Sequence, residues 1–376
     1  MLILNFSFLL TSHQTYMQRC LNLAQLGAGK VAPNPMVGAI LVYGDRIIGE
    51  GYHQEYGKAH AEVNCIGSVR PDDRPLIPKS TLYVSLEPCA HFGKTPPCAD
   101  LVIKQKIPRV VVGCRDPFEQ VNGKGIEKLE AAGVEVIPGM LEEDCRMLNR
   151  RFFGFHTLRR PYVVLKWAQT ADGRIAAAPL TNGQPERLLI SNACSNRLVH
   201  RWRSEEVGIL VGTNTALLDD PGLTTRLWPG SNPVRLVIDM DLKLPGHLQL
   251  FNSDAPTVVF NLHKHSLPFD NISPGLLREN GISYYQVSSN TSLVPQLMNA
   301  LYRLNILSVL VEGGGRLLQS IIDEGLWDEA RIITNETLTI GKGLPAPALK
   351  NQKLRQAFML GADQVKIYAN QNMQTS

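Results

Sequence analysis

Three side chains suited to one borderline metal ion, His60, Cys89 and Cys98, stand far apart along the chain, so a fold that uses them together must bring three segments to one point. Catalytic zinc takes three protein ligands and leaves a position for water, whereas closed structural sites take four, commonly in paired C-x₂-C spacings. No such pair occurs in this sequence, which favours the open arrangement over a structural zinc site. Glu62, two residues after the histidine, is not needed as a ligand, and a carboxylate there can move protons to and from a metal-bound water. One buried cysteine or histidine alone would say little; the joint pattern is what carries chemistry.

The surrounding pattern predicts an α/β layer. Apolar residues at helical spacing from Met17 to Leu26 precede Gly27-Ala28-Gly29, and Pro33-Asn34-Pro35 must be extended or turned. Met36–Tyr43 and Arg46–Gly51 read as a hairpin about Gly44-Asp45, and His60–Ile66 reads as a helix with His60 and Glu62 in its first turn. Thr81–Leu86 reads as a strand that delivers Cys89 at its carboxyl end, and Cys98 opens another helix. Ligands at helix starts beyond a strand's carboxyl end match where open α/β sheets place their sites. Strand 109–113, helix 125–132, strand 134–137 and helix 141–148 complete the alternation. Arg150-Arg151, Arg159-Arg160 and Pro161 read as a short basic connector, and a second α/β series runs from the strand 162–167 to the helix 316–324.

A length of 376 residues suits two domains at about 150 residues each. The expected division is an extension over 1–15, a first domain over 16–150 and a second over 160–370. The apolar run 1–10 lacks the basic start and small-residue cleavage site of a secretory signal, and is too short to span a bilayer. With 38 basic against 34 acidic residues and no cationic run, the balance fits a small anionic substrate and gives no reason to expect nucleic acid or membrane as partner. Seven cysteines, an odd number in a long chain, fit a reducing cytoplasm better than a disulfide framework.

The order His-x-Glu, strand, Pro-Cys, Cys is similar to the signature H-x-E…P-C-x-x-C of zinc nucleobase deaminases, except that eight residues separate Cys89 from Cys98. With Ala32-Pro33-Asn34-Pro35-Met36-Val37-Gly38, Gly51-Tyr52-His53 and the insert His91-Phe92-Gly93-Lys94-Thr95-Pro96-Pro97, this half resembles the bifunctional deaminase/reductase family of riboflavin biosynthesis. The second half continues the resemblance through Leu165-Lys166-Trp167-Ala168, Asp172-Gly173-Arg174, Val211-Gly212-Thr213-Asn214-Thr215, Asp219 to Arg226 and Val311-Glu312-Gly313-Gly314-Gly315.

The resemblance implies a cytidine-deaminase-like α/β/α domain followed by a dihydrofolate-reductase-like α/β domain. It also implies zinc and NADPH as cofactors, and a homo-oligomer. The first activity would deaminate 2,5-diamino-6-ribosylamino-4(3H)-pyrimidinone 5′-phosphate, and the second would reduce the ribosyl group to ribityl. Zinc would be held by His60, Cys89 and Cys98, with Glu62 as general acid and base. Asn34, His53, His91 and Lys94 would meet the pyrimidine and phosphate. In the second half Arg203, Leu223, Arg226 and Glu312 would bind substrate, and Ala168, Thr215, Asp219, Gly314 and Gly315 the cofactor. A helix N-terminus after three glycines suits a pyrophosphate, although a tight turn accounts for the same glycines. Two departures touch the reductase: Leu189-Ile190-Ser191 stands where the family commonly has a Trp-Ile-Thr run after a shorter loop, and Met240 stands where a serine is frequent. The competing readings are a zinc deaminase acting on RNA or a nucleoside beside a half that is not a working reductase, and a non-catalytic module.

Overall fold

The computed structural model describes residues 12–92, 96–118, 121–178, 188–266 and 281–373. The chain divides into two compact units, residues 1–157 and 158–376.

The first unit contains α1 (Ser12–Gln25), β1 (Gly38–Tyr43), β2 (Arg46–Tyr52), α2 (Ala61–Gly67), β3 (Thr81–Leu86), α3 (Cys98–Lys104), β4 (Arg109–Cys114), α4 (Lys124–Ala131), β5 (Glu135–Ile137), α5 (Glu142–Leu148) and α6 (Arg150–Leu158). Its sheet runs β2-β1-β3-β4-β5, antiparallel from β2 to β3 and parallel thereafter. Both faces are covered, so β1 reads as an unbroken apolar run. Ala39 and Leu41 join the core beneath α2, α3 and α4, while Gly38 lies under α1, where a Cβ would fall 2.0 Å from the Cys20 carbonyl oxygen.

Two expectations need correction here. The first helix starts at Ser12, not Met17. His13 Nδ1 lies 2.8 Å from the Tyr83 hydroxyl, so residues 12–15 belong to the fold rather than to an extension. The stretch read as a basic connector is the helix α6, which buries Phe152, Phe153 and Phe155 between its flanking arginines.

The second unit contains β6 (Tyr162–Thr170), β7 (Arg174–Ala177), α7 (Ala193–Glu205), β8 (Gly208–Val211), α8 (Thr213–Asp219), β9 (Val234–Ile238), β10 (Thr257–Asn261), β11 (Ile282–Gln286), α9 (Leu293–Arg303), β12 (Ser308–Val311), α10 (Gly315–Asp323), β13 (Glu329–Asn335), β14 (Gly343–Pro345), β15 (Gln352–Leu360) and β16 (Asp363–Asn370). Nine strands form one sheet in the order β11-β10-β9-β8-β12-β6-β13-β16-β15. Pairing is parallel from β11 to β13, and the last two strands close the sheet antiparallel. Helices α9 and α10 cover one face with Val163 and Leu165, and α7 and α8 cover the other with Val164. Arg160, read as part of the connector, is a buried bidentate partner of Asp328, with both N–O distances 2.7 Å. Among the described residues no helix is long and apolar enough to cross a membrane.

Candidate functional sites

In the first unit, the carboxyl end of β3 and the starts of α2 and α3 supply the three expected ligands. His60 is the residue that precedes the first turn of α2, and its Nδ1 lies 3.3 Å from Cys98 Sγ and 3.6 Å from Cys89 Sγ. All three ligand atoms fall within 4.8 Å of one another, and among the described residues they are the one such cluster. Donor set and spacing therefore fit a tetrahedral zinc with one open position. The Cys98 thiol and the His60 ring hold Cys89 down to about 4 as a thiolate, and Cys98 is pushed up in turn. Glu62, in the first turn of α2, is 3% exposed. Burial, reinforced by the charge of Cys89, lifts its carboxyl to about 7.

The helix that carries His60 and Glu62 sits unusually close to the sheet. A Cβ on Gly51 would fall 2.2 Å from the Cys65 nitrogen and 2.7 Å from the Ala61 oxygen, so glycine is what lets α2 reach this depth. Beside it, His53 Nδ1 donates to the Ala59 carbonyl at 3.0 Å and Nε2 accepts from Asn34 Nδ2 at 3.1 Å, the tautomer being the one this network requires. Burial lowers the His53 pKa, which keeps the ring neutral. Asn149 clamps both backbone groups of Met36 at 2.8 Å and so fixes the turn that carries Asn34.

Among the described residues the buried His91 Nδ1 has no partner, and the ring lies edge-on to Phe118, 6.3 Å between rings. Phe118 in turn packs on His156, whose pKa burial lowers to about 4. Lys94 lies outside the described residues. Sequence reasoning overlooked Asp116, which is 7% exposed and whose carboxyl burial raises to about 7. Its signal was available: an acidic residue directly beyond the carboxyl end of β4, the edge where β3 delivers Cys89.

In the second unit Glu312, just past β12, accepts from Arg203 Nε at 2.7 Å and Nη2 at 2.8 Å. Arg203 Nη1 also donates to the Thr224 carbonyl at 3.0 Å, and Arg226 Nη1 to the Thr224 hydroxyl at 3.3 Å. A guanidinium has five N–H donors, so Arg203 keeps one on each terminal nitrogen. Arg226 is exposed. Lys166, which the sequence reading did not single out, lies 3.9 Å from Glu312 Oε2 with its side chain 14% exposed. Leu223 is buried at φ +51°, left-handed backbone for a non-glycine residue.

Of the expected cofactor residues, Thr215, Gly314 and Gly315 come together. Gly313 has φ +146°, and a Cβ there would sit 3.2 Å from Thr215 Oγ1, which also packs against Gly314. Thr215 on α8 and Gly314-Gly315 at the start of α10 therefore share one edge of the sheet. The N-cap of α10 is Gly314, which has no side chain to cap it, so its first amides fit a cofactor phosphate. Ala168 is on β6, packed toward the α7–α8 face, and Asp219 ends α8. Met240 packs into the apolar core on the α9–α10 face and its carbonyl accepts from Leu262 N. Of the altered loop, residues 179–187 lie outside the described residues.

Known proteins resemble both units. Residues 10–114 match the family described as the cytidine and deoxycytidylate deaminase zinc-binding region, and residues 161–370 match the RibD C-terminal domain. The riboflavin biosynthesis protein RibD of Aquifex aeolicus is 39% identical over 335 residues, covering 87% of this chain and 89% of its own length. The chain belongs to the RibD family. RibD of Synechocystis is 36% identical over 93% of this chain and 92% of its own. A solved structure from Thermotoga maritima, a diaminohydroxyphosphoribosylaminopyrimidine deaminase/5-amino-6-(5-phosphoribosylamino)uracil reductase, superposes with a TM-score of 0.81 at 34% identity, covering 96% of this chain and 99% of its own.

Membership makes the chain a two-activity enzyme of riboflavin biosynthesis, with a zinc-binding deaminase unit of cytidine-deaminase-like fold and an NADPH-using reductase unit of dihydrofolate-reductase-like fold. This reading is supported over a zinc deaminase acting on RNA or a nucleoside beside a half that is not a working reductase, because RibD relatives match both halves of the chain together.

Proposed function

We propose that the first unit hydrolyses the 2-amino group of 2,5-diamino-6-ribosylamino-4(3H)-pyrimidinone 5′-phosphate and that the second reduces the ribosyl group of the product to ribityl. The observation that carries the first step is the convergence of His60, Cys89 and Cys98 on one point beside a buried carboxyl. The chemistry such a metal supplies when bound is an acidified water, with its pKa brought down to about 7. Glu62 takes a proton from the attacking water and delivers it to the departing amino group, a task for which a carboxyl titrating near neutrality is suited. Asn34 and His53, locked to each other, present fixed polar edges to the pyrimidine. His91, with a buried Nδ1 that has no partner among the described residues, is assigned to the substrate, and Lys94 to the phosphate.

In the second unit the chemistry NADPH supplies when bound is a hydride for the sugar. Arg226 and the two remaining N–H groups of Arg203 are assigned to the substrate phosphate, which a guanidinium can take bidentately. Leu223 and Glu312 complete the substrate wall. Ala168, Thr215, Asp219, Gly314 and Gly315 are assigned to the cofactor, with the open start of α10 toward its pyrophosphate. All seven cysteines are free, which supports a reducing cytoplasm as the location. A small phosphorylated substrate and a homo-oligomeric enzyme complete the proposal.

Two experiments test it. Glu62→Gln should retain zinc and lose deamination, and full activity in that variant would refute the proton transfer. Arg226→Ala should raise KM for the deaminated phosphate in NADPH oxidation while leaving NADPH affinity unchanged; an unaltered KM would remove the phosphate assignment.

A further inference from the structure

We infer that Glu87 is a positioning residue for Cys89, holding this ligand's turn against the start of α4. Glu87 ends the run from β3 into Pro88-Cys89 and is 4% exposed. Among the described residues no cation pairs with it. Its carboxylate instead accepts from four backbone amides: Oε1 from Gly125 at 2.8 Å and Ile126 at 3.4 Å, and Oε2 from Gly123 at 3.0 Å and Asp116 at 3.3 Å. Two of these donors lie in the first turn of α4, where amides have no partner in the helix itself and the dipole favours negative charge. A buried carboxylate is costly unless it is bonded in this way.

The turn is also held from outside. A Cβ on Gly125 would fall 1.9 Å from the Pro88 oxygen, so the backbone of α4 and the backbone of the Pro88 turn are in direct contact with no room for adjustment. Glu87 N donates to the Cys114 carbonyl at 3.0 Å, tying the same residue to the end of β4. Beyond the turn, Cys89 Sγ accepts from Cys98 N at 3.4 Å and Cys89 O from Ala99 N at 3.1 Å. Glu87 thus links β4, the start of α4 and the loop bearing Asp116 to the backbone that places one ligand. A well-packed apolar residue would fill the same volume and leave the four amides without an acceptor.

The inference rests on the assignment of His60, Cys89 and Cys98 as zinc ligands, which zinc binding by the unaltered protein tests separately. In the full chain, Glu87→Gln places an NH₂ group among amide donors, and Glu87→Asp keeps the charge but reaches fewer of them. Zinc affinity, read by competition with a chromophoric chelator, should fall about 10- to 100-fold in Glu87→Gln, the usual consequence of losing an outer partner of a metal ligand, and by less in Glu87→Asp. The thiolate-to-metal absorption of the cobalt(II)-substituted variant should shift, while NADPH oxidation with preformed deaminated substrate stays unchanged and reports a folded second unit. Unaltered zinc affinity and cobalt spectrum in either folded variant would overturn the inference. Should neither variant fold, the unaltered protein decides: coupling is reciprocal, so removing zinc should speed hydrogen exchange at the Gly123, Gly125 and Ile126 amides. Equal exchange with and without zinc would overturn it.

Discussion

Glu312→Gln is the substitution whose cost follows most directly from the second unit. The Glu312, Arg203 and Lys166 side chains are 7%, 12% and 14% exposed, and both cations face the one carboxylate. Burial alone would raise the Glu312 pKa; Arg203 and Lys166 outweigh it and bring it from 4.5 to about 2. At about 1.4 kcal/mol per pH unit, that shift is worth about 3 kcal/mol. Because the folded pKa is the lower one, this contribution is complete above pH 4.5 and disappears as pH falls from 4.5 toward 2, where the unfolded chain takes up the proton first. Removing the carboxylate leaves two buried cations, for which breaking a buried pair suggests about 3–5 kcal/mol. Arg203→Met is milder, since Glu312 keeps Lys166 at 3.9 Å. The assay is urea denaturation at pH 7 and at steps down to pH 3, followed by tryptophan fluorescence, with Trp202 on α7 one residue from Arg203. The expected order of loss is Glu312→Gln greater than Arg203→Met, with the fall in stability from pH 4.5 to pH 3 shallower in Glu312→Gln than in the unaltered protein, since other paired carboxylates still titrate there. A loss under about 1 kcal/mol for Glu312→Gln, the range of an exposed pair, or the reverse order, would refute a dehydrated ion cluster.

Two further perturbations probe other supports. Gly51→Ala should push α2 off β2, costing about 1–3 kcal/mol of stability and weakening zinc binding together with deamination; unchanged zinc affinity would show that α2 tolerates the shift. Arg235, fully buried on β9, donates through Nε to the Gly222 carbonyl at 3.0 Å and shares the two N–H groups of Nη1 among the Asn252 side chain and the Leu250, Asn252 and Ala255 carbonyls, with no carboxylate in ion-pair contact among the described residues. Arg235→Met should leave the Gly222 carbonyl without its donor at about 1–3 kcal/mol, while the Leu250 carbonyl keeps Thr257, and should raise KM for the phosphorylated substrate because the Gly222–Arg226 loop loses its anchor; a KM equal to that of the unaltered enzyme would separate loop from site.

The zinc ligands were legible in sequence because metal chemistry restricts residue type, and His-x-Glu followed by two prolyl-cysteines has few other uses. The parallel strands β6, β8, β9, β10 and β12 were legible too, as short apolar runs, whereas the parallel β11, largely open to solvent, and β13 were not read. Less was visible where burial is one-sided or charged. Strands β15 and β16 were missed: β15 is an almost wholly exposed edge strand whose polar and apolar residues do not alternate. The helix α6 was hidden by the arginines at its start and just after it, and of the helix before β1 only the first residues were not read, because the apolar run 1–10 adjoins them. Loop residues such as Asp116 and Glu87 carried no periodic signal at all, because what matters about them is which amides they meet.

Sequence alone determined the chemistry available to this protein: three ligands, a proton carrier, a glycine turn before a helix and two α/β series. Tertiary structure decided how those groups are biased. It buries Glu62 so that its carboxyl titrates near neutrality, places Glu312 between two cations so that it stays ionised, and commits most of Arg203 to neighbours. The physical reason is that desolvation and hydrogen bonding act through space, between residues such as Arg203 and Glu312 that are far apart in the chain, and no local pattern of residues encodes which of them will meet.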